Sequence, residues 1–196
     1  VIPTPNKSGA LDPSLLIVHD TAGQLDYMTS VSWLCNSQAN ASAHFVVGRK
    51  GELIQLASLR VKTWHAGKSS WMGRQNVNDF AIGIELANPG KLSVSASNSK
   101  LARAEFGATY DIKAYGIEFA ETPSHGRGWW MPYTEAQLAT TFDLCAALRE
   151  AYNISSCAAH YEISPGRKID VNPLFPLARL KGRLQGRQDA ANRVFV

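Results

Sequence analysis

Leu15-Leu16-Ile17-Val18, an unbroken apolar run after a Pro-rich and polar opening, reads as a strand buried on both faces. His19 follows at once, so an imidazole sits at the end of a buried strand. Further along, Met28 to Cys35 carries apolar residues at helical spacing, ahead of a polar stretch from Asn36 to Ser42. His44-Phe45-Val46-Val47 and Leu53-Ile54-Gln55-Leu56 flank Arg49-Lys50-Gly51, where the glycine suits a left-handed turn position and a β-hairpin is expected. Phe80 to Leu86 is another apolar strand, with the carboxylate of Glu85 near its end.

From Gly90 to Gly128 the pattern dissolves into Ser, Asn, Gly and scattered aromatics, and the stretch reads as a loop insert too long for an ordinary connection. Order resumes at Pro132-Tyr133-Thr134. Thr134 and Gln137 form a capping-box start, and Leu138, Phe142, Cys145, Leu148 and Tyr152 mark a long amphipathic helix. A last helix is expected from about Pro173 through Leu184, and the polar tail after Gln185 should fray. With no internal repeat, heptad run or second boundary, the 196 residues are expected to form one domain carrying an insert at about 90–128.

The hydrophobic content of 45% is enough for a sizeable core, and the net charge of +4 is a mild excess that favours an anionic partner without naming one. The Lys and Arg residues are dispersed, with no basic stripe, helix-turn-helix pattern or finger spacing, so nucleic acid is not the expected partner. Cys35, Cys145 and Cys157 are odd in number and not closely paired, which suits buried free thiols better than a disulfide framework or a thiolate metal site. No stretch approaches the ~20 apolar residues of a membrane span, and the start at Val1 shows no charged-then-apolar signal pattern. Compartment and oligomeric state stay open.

Ala158-Ala159-His160-Tyr161-Glu162-Ile163-Ser164-Pro165-Gly166-Arg167-Lys168-Ile169-Asp170 packs several chemically active side chains around a tight Pro-Gly loop. His160 and Asp170 can return to one metal across the turn, and Lys168 can extend towards the same cavity. Adding His19 gives two imidazoles and a carboxylate, which leaves a fourth tetrahedral position for water, as a catalytic zinc requires. Glu85, a carboxylate at the end of an apolar strand, is either a functional group or a structural anchor, because an unpaired charge there is costly. For Lys168 the bland alternative is a solvated surface lysine.

These residues, together with Ile17-Val18-His19-Asp20-Thr21-Ala22-Gly23, Ser42-Ala43-His44-Phe45, Trp64-His65-Ala66-Gly67 and Asn78-Asp79-Phe80-Ala81-Ile82-Gly83-Ile84-Glu85-Leu86, resemble the N-acetylmuramoyl-L-alanine amidase family. That family includes anhydro-muropeptide amidases, phage lysozyme-like amidases and peptidoglycan recognition proteins. The motifs run in family order from about residue 15 to 180, broken by the insert. The resemblance implies an α/β fold with a mixed central β-sheet flanked by helices and a zinc site in a groove at one edge. It implies His19, His160 and Asp170 as ligands of one zinc, Glu85 and Lys168 as catalytic residues, and a peptidoglycan or muropeptide substrate. His65 either lines the groove or fixes its loop, and Arg74 and Asn76 are candidate substrate contacts beside it. Where some members place a tyrosine this chain has Ala43, and where some place an arginine for diaminopimelate it has Asn76. His44 is expected to be structural, and His125, in the insert, is not assigned to the metal.

The implied reaction is hydrolysis of the amide between N-acetylmuramic acid and L-alanine, with Glu85 moving protons and Lys168 meeting the oxyanion. The alternatives are a non-catalytic peptidoglycan-binding module of the same fold, whose members commonly lack a metal-capable residue at the Asp170 position, and a zinc hydrolase of another amide.

Overall fold

In the computed structural model, which describes residues 1–96 and 98–186, the strands and helices follow in a fixed order. The first part runs β1 (Lys7–Ala10), β2 (Leu15–Asp20), α1 (Tyr27–Leu34), β3 (Phe45–Val47), β4 (Leu53–Gln55), β5 (Val61–Thr63), β6 (Ser70–Trp71), β7 (Arg74–Gln75) and β8 (Ala81–Leu86). Then come β9 (Lys91–Ser95), β10 (Asn98–Ala104), β11 (Thr109–Asp111), β12 (Glu118–Thr122) and β13 (Gly126–Trp130), and finally α2 (Glu135–Tyr152), β14 (Cys157–Ala159), α3 (His160–Ile163) and α4 (Leu177–Leu184).

The central sheet has the order β14-β2-β8-β3-β4. Its first four strands are parallel and β4 returns antiparallel through the hairpin foreseen at Gly51, whose φ is 86°. β2 is buried along its whole length because it lies between two parallel neighbours and both sheet faces are covered. On one face Leu16, Val18, Ile82, Ile84 and Leu86 pack against Phe142, Cys145 and Leu148 of α2 and Leu177, Leu180 and Leu184 of α4. On the other, Leu15, Ile17 and Ala158 meet Ala66, Val77, Phe80 and Ile163, while α1 covers Val46 with Val31 and Leu34.

This is the mixed sheet with flanking helices expected above. The alternation of the pleat decides the rest: His19 and Glu85, paired in register on adjacent strands, share the face turned away from α2 and α4.

Residues 90–128 are not an irregular loop. They form β9 to β13, a second antiparallel sheet of order β11-β10-β9-β13-β12 whose core is Leu92, Ala102, Ala104, Tyr110, Ile117 and Met131. The short, polar strands hide their period because several residues on both faces stay exposed. α2 starts as foreseen, with Thr134 as N-cap accepting from the Gln137 amide at 3.1 Å. The reciprocal half of the capping box is missing, since the Gln137 side chain donates instead to the carbonyls of Val47 and Ala87, each at 3.1 Å. α4 begins four residues later than expected, at Leu177, because Pro173 and Pro176 hold the preceding segment in turns. The expected fraying tail lies mostly outside the described residues. Cys145 and Cys157 are buried free thiols, and Cys35 is a free thiol only partly covered.

Candidate metal centre and active-site groove

Three parallel strands end at one place, and their carboxyl ends supply the site, as is general for ligand crevices in sheets of this kind. His19 comes from β2, Glu85 from β8 and His160 from the first residue after β14. Asp170 arrives from the loop that follows α3, held by a hydrogen bond from the Tyr161 amide to the Asp170 carbonyl at 2.8 Å.

His19 Nδ1 stands 2.9 Å from His160 Nδ1 and 3.3 Å from Asp170 Oδ2, and His160 Nδ1 stands 2.9 Å from the same oxygen. Tautomers follow from the outer partners. His160 Nε2–H donates to the Ala66 carbonyl at 3.2 Å, so its Nδ1 presents a lone pair. His65 Nε2–H donates to the Ala81 carbonyl at 3.4 Å, so His65 Nδ1 must accept from His19 Nε2–H at 3.0 Å, and His19 Nδ1 presents a lone pair too. Two lone pairs and a carboxylate oxygen then face one point. Their spacing is close to the roughly 3.3 Å between ligands of a tetrahedral zinc with bonds of about 2.0–2.1 Å. The donor set fits a divalent cation, and among the described residues these three form a group able to hold one. Burial by itself would raise the Asp170 carboxyl, but the two imidazoles beside it hold it well below the usual range, while burial and the neighbouring His160 imidazole push His19 down to about 4. His19 and Asp170 therefore present deprotonated ligand atoms at neutral pH, and His160 turns its Nδ1 to the same point.

Glu85 projects beside this cluster. Its Oε2 is buried with no hydrogen-bond partner among the described residues. Desolvation, then the nearby carboxylates of Asp170 and Asp20, raise its pKa to about 8. Lys168, exposed on the loop before Asp170, lines the same groove and opposes that shift. The groove has a volume of about 540 Å³. His65 lines it, and its backbone amide donates to Asn78 Oδ1 at 3.1 Å, which fixes its loop. Its close approach to β8 depends on Gly83, where a Cβ would lie 2.5 Å from the His65 ring.

Arg74 and Asn76 are not brought to the groove. Arg74 lies on the β6–β7 hairpin with its guanidinium 3.6 Å over the Phe80 ring and a hydrogen bond to Ser14, and Asn76 caps the next turn in a left-handed conformation. Neither lines the groove walls, because the hairpin turns both away onto the outer surface. Ala43 is fully buried against Val31 and Leu56, and His44 is the structural residue expected, accepting from the Gly83 amide and donating to Val61.

Other site residues were not foreseen from the sequence. Asp20 is buried, accepts from the Tyr133 hydroxyl and from the Asn172 amide at 2.9 Å, and is raised by burial to about 7. Only its place next to His19 could have drawn attention to it. Trp33 of α1 and Phe106, from the turn between β10 and β11, line the groove while 57% and 41% exposed, large apolar surfaces left open to solvent.

The sequence pattern of the Amidase_2 family, described as N-acetylmuramoyl-L-alanine amidase, matches residues 9–173. The N-acetylmuramoyl-L-alanine amidase AmiD of Escherichia coli (strain K12) is 29% identical over 189 residues, covering 92% of this chain and 56% of AmiD. The 1,6-anhydro-N-acetylmuramyl-L-alanine amidase AmpD of the same strain is 25% identical, covering 92% of this chain and 88% of AmpD. Among solved structures, the complex of E. coli AmiD with the substrate anhydro-N-acetylmuramic acid-L-Ala-D-γ-Glu-L-Lys superimposes with a TM-score of 0.64 over 92% of this chain and 61% of AmiD, at 29% identity. A selenomethionine derivative of AmpD gives 0.60 over 92% and 91%, at 25% identity. The chain thus spans little more than half of AmiD and most of AmpD. With the family pattern matched across five-sixths of its length and the same fold beneath it, this chain belongs to the N-acetylmuramoyl-L-alanine amidase (Amidase_2) family.

Proposed function

We propose that this chain is a zinc-dependent amidase that hydrolyses the bond between the lactyl group of N-acetylmuramic acid and the L-alanine of the stem peptide, with one zinc held by His19, His160 and Asp170. The observation that carries the reading is the buried Oε2 of Glu85, without a hydrogen-bond partner among the described residues, in register with His19 and beside the His19, His160 and Asp170 cluster. A binding surface has no use for such a carboxylate, whereas a hydrolase needs a base there. The names of AmiD and AmpD and the muropeptide bound to AmiD support the choice of bond and substrate.

When bound, zinc supplies a Lewis acid that polarises a carbonyl and lowers the pKa of water towards ~7. Glu85 accepts the proton of the attacking water and passes one to the leaving amine, a role worth roughly 10²–10⁴ in rate. A carboxyl with a raised pKa is suited to both transfers. The Lys168 ammonium meets the carbonyl oxygen as it gains charge, for which preorganised donors contribute ~3 kcal/mol. His65 holds His19 in the tautomer that the metal needs. The substrate contacts belong to the groove residues His65, Trp33 and Phe106, with Arg74 and Asn76 left out.

The test is metal analysis of the purified protein followed by mass spectrometry of a digest of defined muropeptides. Close to one zinc per chain and release of an intact stem peptide beginning at L-alanine are expected. Zinc without cleavage would leave a binding module, and cleavage of a different bond would leave another amide hydrolase.

A further inference from the structure

His125 belongs to no motif behind the family resemblance and the chemistry above does not use it, yet it is only 6% exposed and hydrogen-bonded at both ring nitrogens. It sits in the turn between β12 and β13. Thr122 Oγ1 accepts from the His125 backbone N–H at 3.1 Å and faces ring Nδ1 at 2.6 Å, so the hydroxyl proton goes to Nδ1. Nε2 therefore carries the ring proton, and it donates to the Val171 carbonyl at 3.0 Å. The ring also packs edge-on against Tyr161, with centroids 4.7 Å apart, and against Trp130 at 5.7 Å. Tyr161 follows His160, and Val171 follows Asp170. A single side chain of the second sheet thus touches the immediate neighbours of two of the three donors.

The support matters because Asp170 is approached from Pro165–Ile169, an exposed run of the chain. Its position is fixed from the other side, by Val171 and by Asn172, whose amide donates to Asp20. We infer that His125 is a positioning residue through which the second sheet braces His160 and Asp170, so that the geometry and affinity of the zinc site depend on a side chain outside the central fold. The inference rests on the reading of these residues as zinc ligands. Partners that orient ligands from outside the coordination shell typically govern metal affinity by 10–100-fold, and His125 acts one bond further out.

His125→Phe keeps the ring contacts and removes the donor, whereas His125→Gln keeps a donor where Nε2 stood. Zinc affinity is measured by chelator competition and site geometry by the visible absorption of the Co²⁺-substituted protein, both without substrate. The Phe variant is expected to bind zinc about 10-fold more weakly, with altered Co²⁺ bands and a loss in kcat larger than any rise in KM. The Gln variant should recover most of this. A folded Phe variant with wild-type affinity and spectrum overturns the inference, as does a Gln variant that loses as much as Phe. If circular dichroism shows that the Phe variant does not fold, Thr122→Val, which removes the hydroxyl that sets the His125 tautomer, takes its place, and unchanged zinc affinity there overturns the inference too. Loss of affinity in a protein that binds zinc but cleaves no muropeptide leaves the brace standing and defeats the amidase reading. Cleavage with unmoved affinity does the reverse.

Discussion

A carboxylate oxygen buried without a partner costs stability, and Glu85 bears that cost in the metal-free protein. Its pKa rises from the ordinary 4.5 to about 8 on folding, so the folded chain keeps a proton that the unfolded chain has released. Stability from this group is present below pH 4.5 and drains away as pH climbs towards 8. In chelator, Glu85→Gln should therefore gain on the wild type between pH 5 and pH 9, by on the order of 2 kcal/mol given partial screening. Urea midpoints at the two pH values measure it, and a gap that does not move with pH would mean that Glu85 is not strained. With zinc restored, the same variant is expected to keep its metal and lose ~10²–10⁴ in kcat. Metal content and turnover on one preparation decide it, and unchanged kcat would make Glu85 an anchor only. That Lys168 and Glu85 stand at the groove was legible in the sequence because each lies next to a motif. The buried setting of Asp20 was not, since Tyr133 and Asn172 converge on it only in three dimensions.

At the scale of elements, strands β2 and β8, the β3–β4 hairpin and helix α2 could be read because each carries a strong period or an uninterrupted apolar run. The second sheet could not. Its strands alternate weakly and expose residues on both sides, and its core is assembled from Leu92, Tyr110, Ile117 and Met131, too far apart in sequence to make a local pattern. That sheet reaches the groove through Phe106, which is left exposed on its turn. Phe106→Ala should leave zinc content unchanged and raise KM by about 3–10-fold, the equivalent of one aromatic contact. A KM unmoved for both small muropeptides and intact wall would remove the turn from the substrate path. For α2, Thr134→Ala deletes the N-cap and the hydrogen bond that Thr134 donates to the Arg49 carbonyl. A loss of about 1–2 kcal/mol is expected, read as a fall in melting temperature of roughly 2–8 °C. An unchanged melting point would show that α2 is held by its packing alone.

Over the whole molecule, the proposed zinc site links metal affinity to folding stability, since His19, His160 and Asp170 meet only in the folded chain. Zinc at 100 times its Kd should add ~2.7 kcal/mol, about 5–10 °C in melting temperature. His19→Ala, His160→Ala and Asp170→Ala should each abolish that increment, and a ligand variant that still melts higher in zinc would break the assignment. The order of the central sheet carries one more consequence. β14 pairs with β2, and the residues that follow it complete the site with a histidine 141 positions earlier. On the ribosome, a nascent chain that has already formed β2, β8 and the β3–β4 hairpin still lacks two of the three proposed zinc donors. On that assignment it cannot capture the ion until synthesis has passed Asp170, and a product truncated before β14 is expected to bind no zinc at this site.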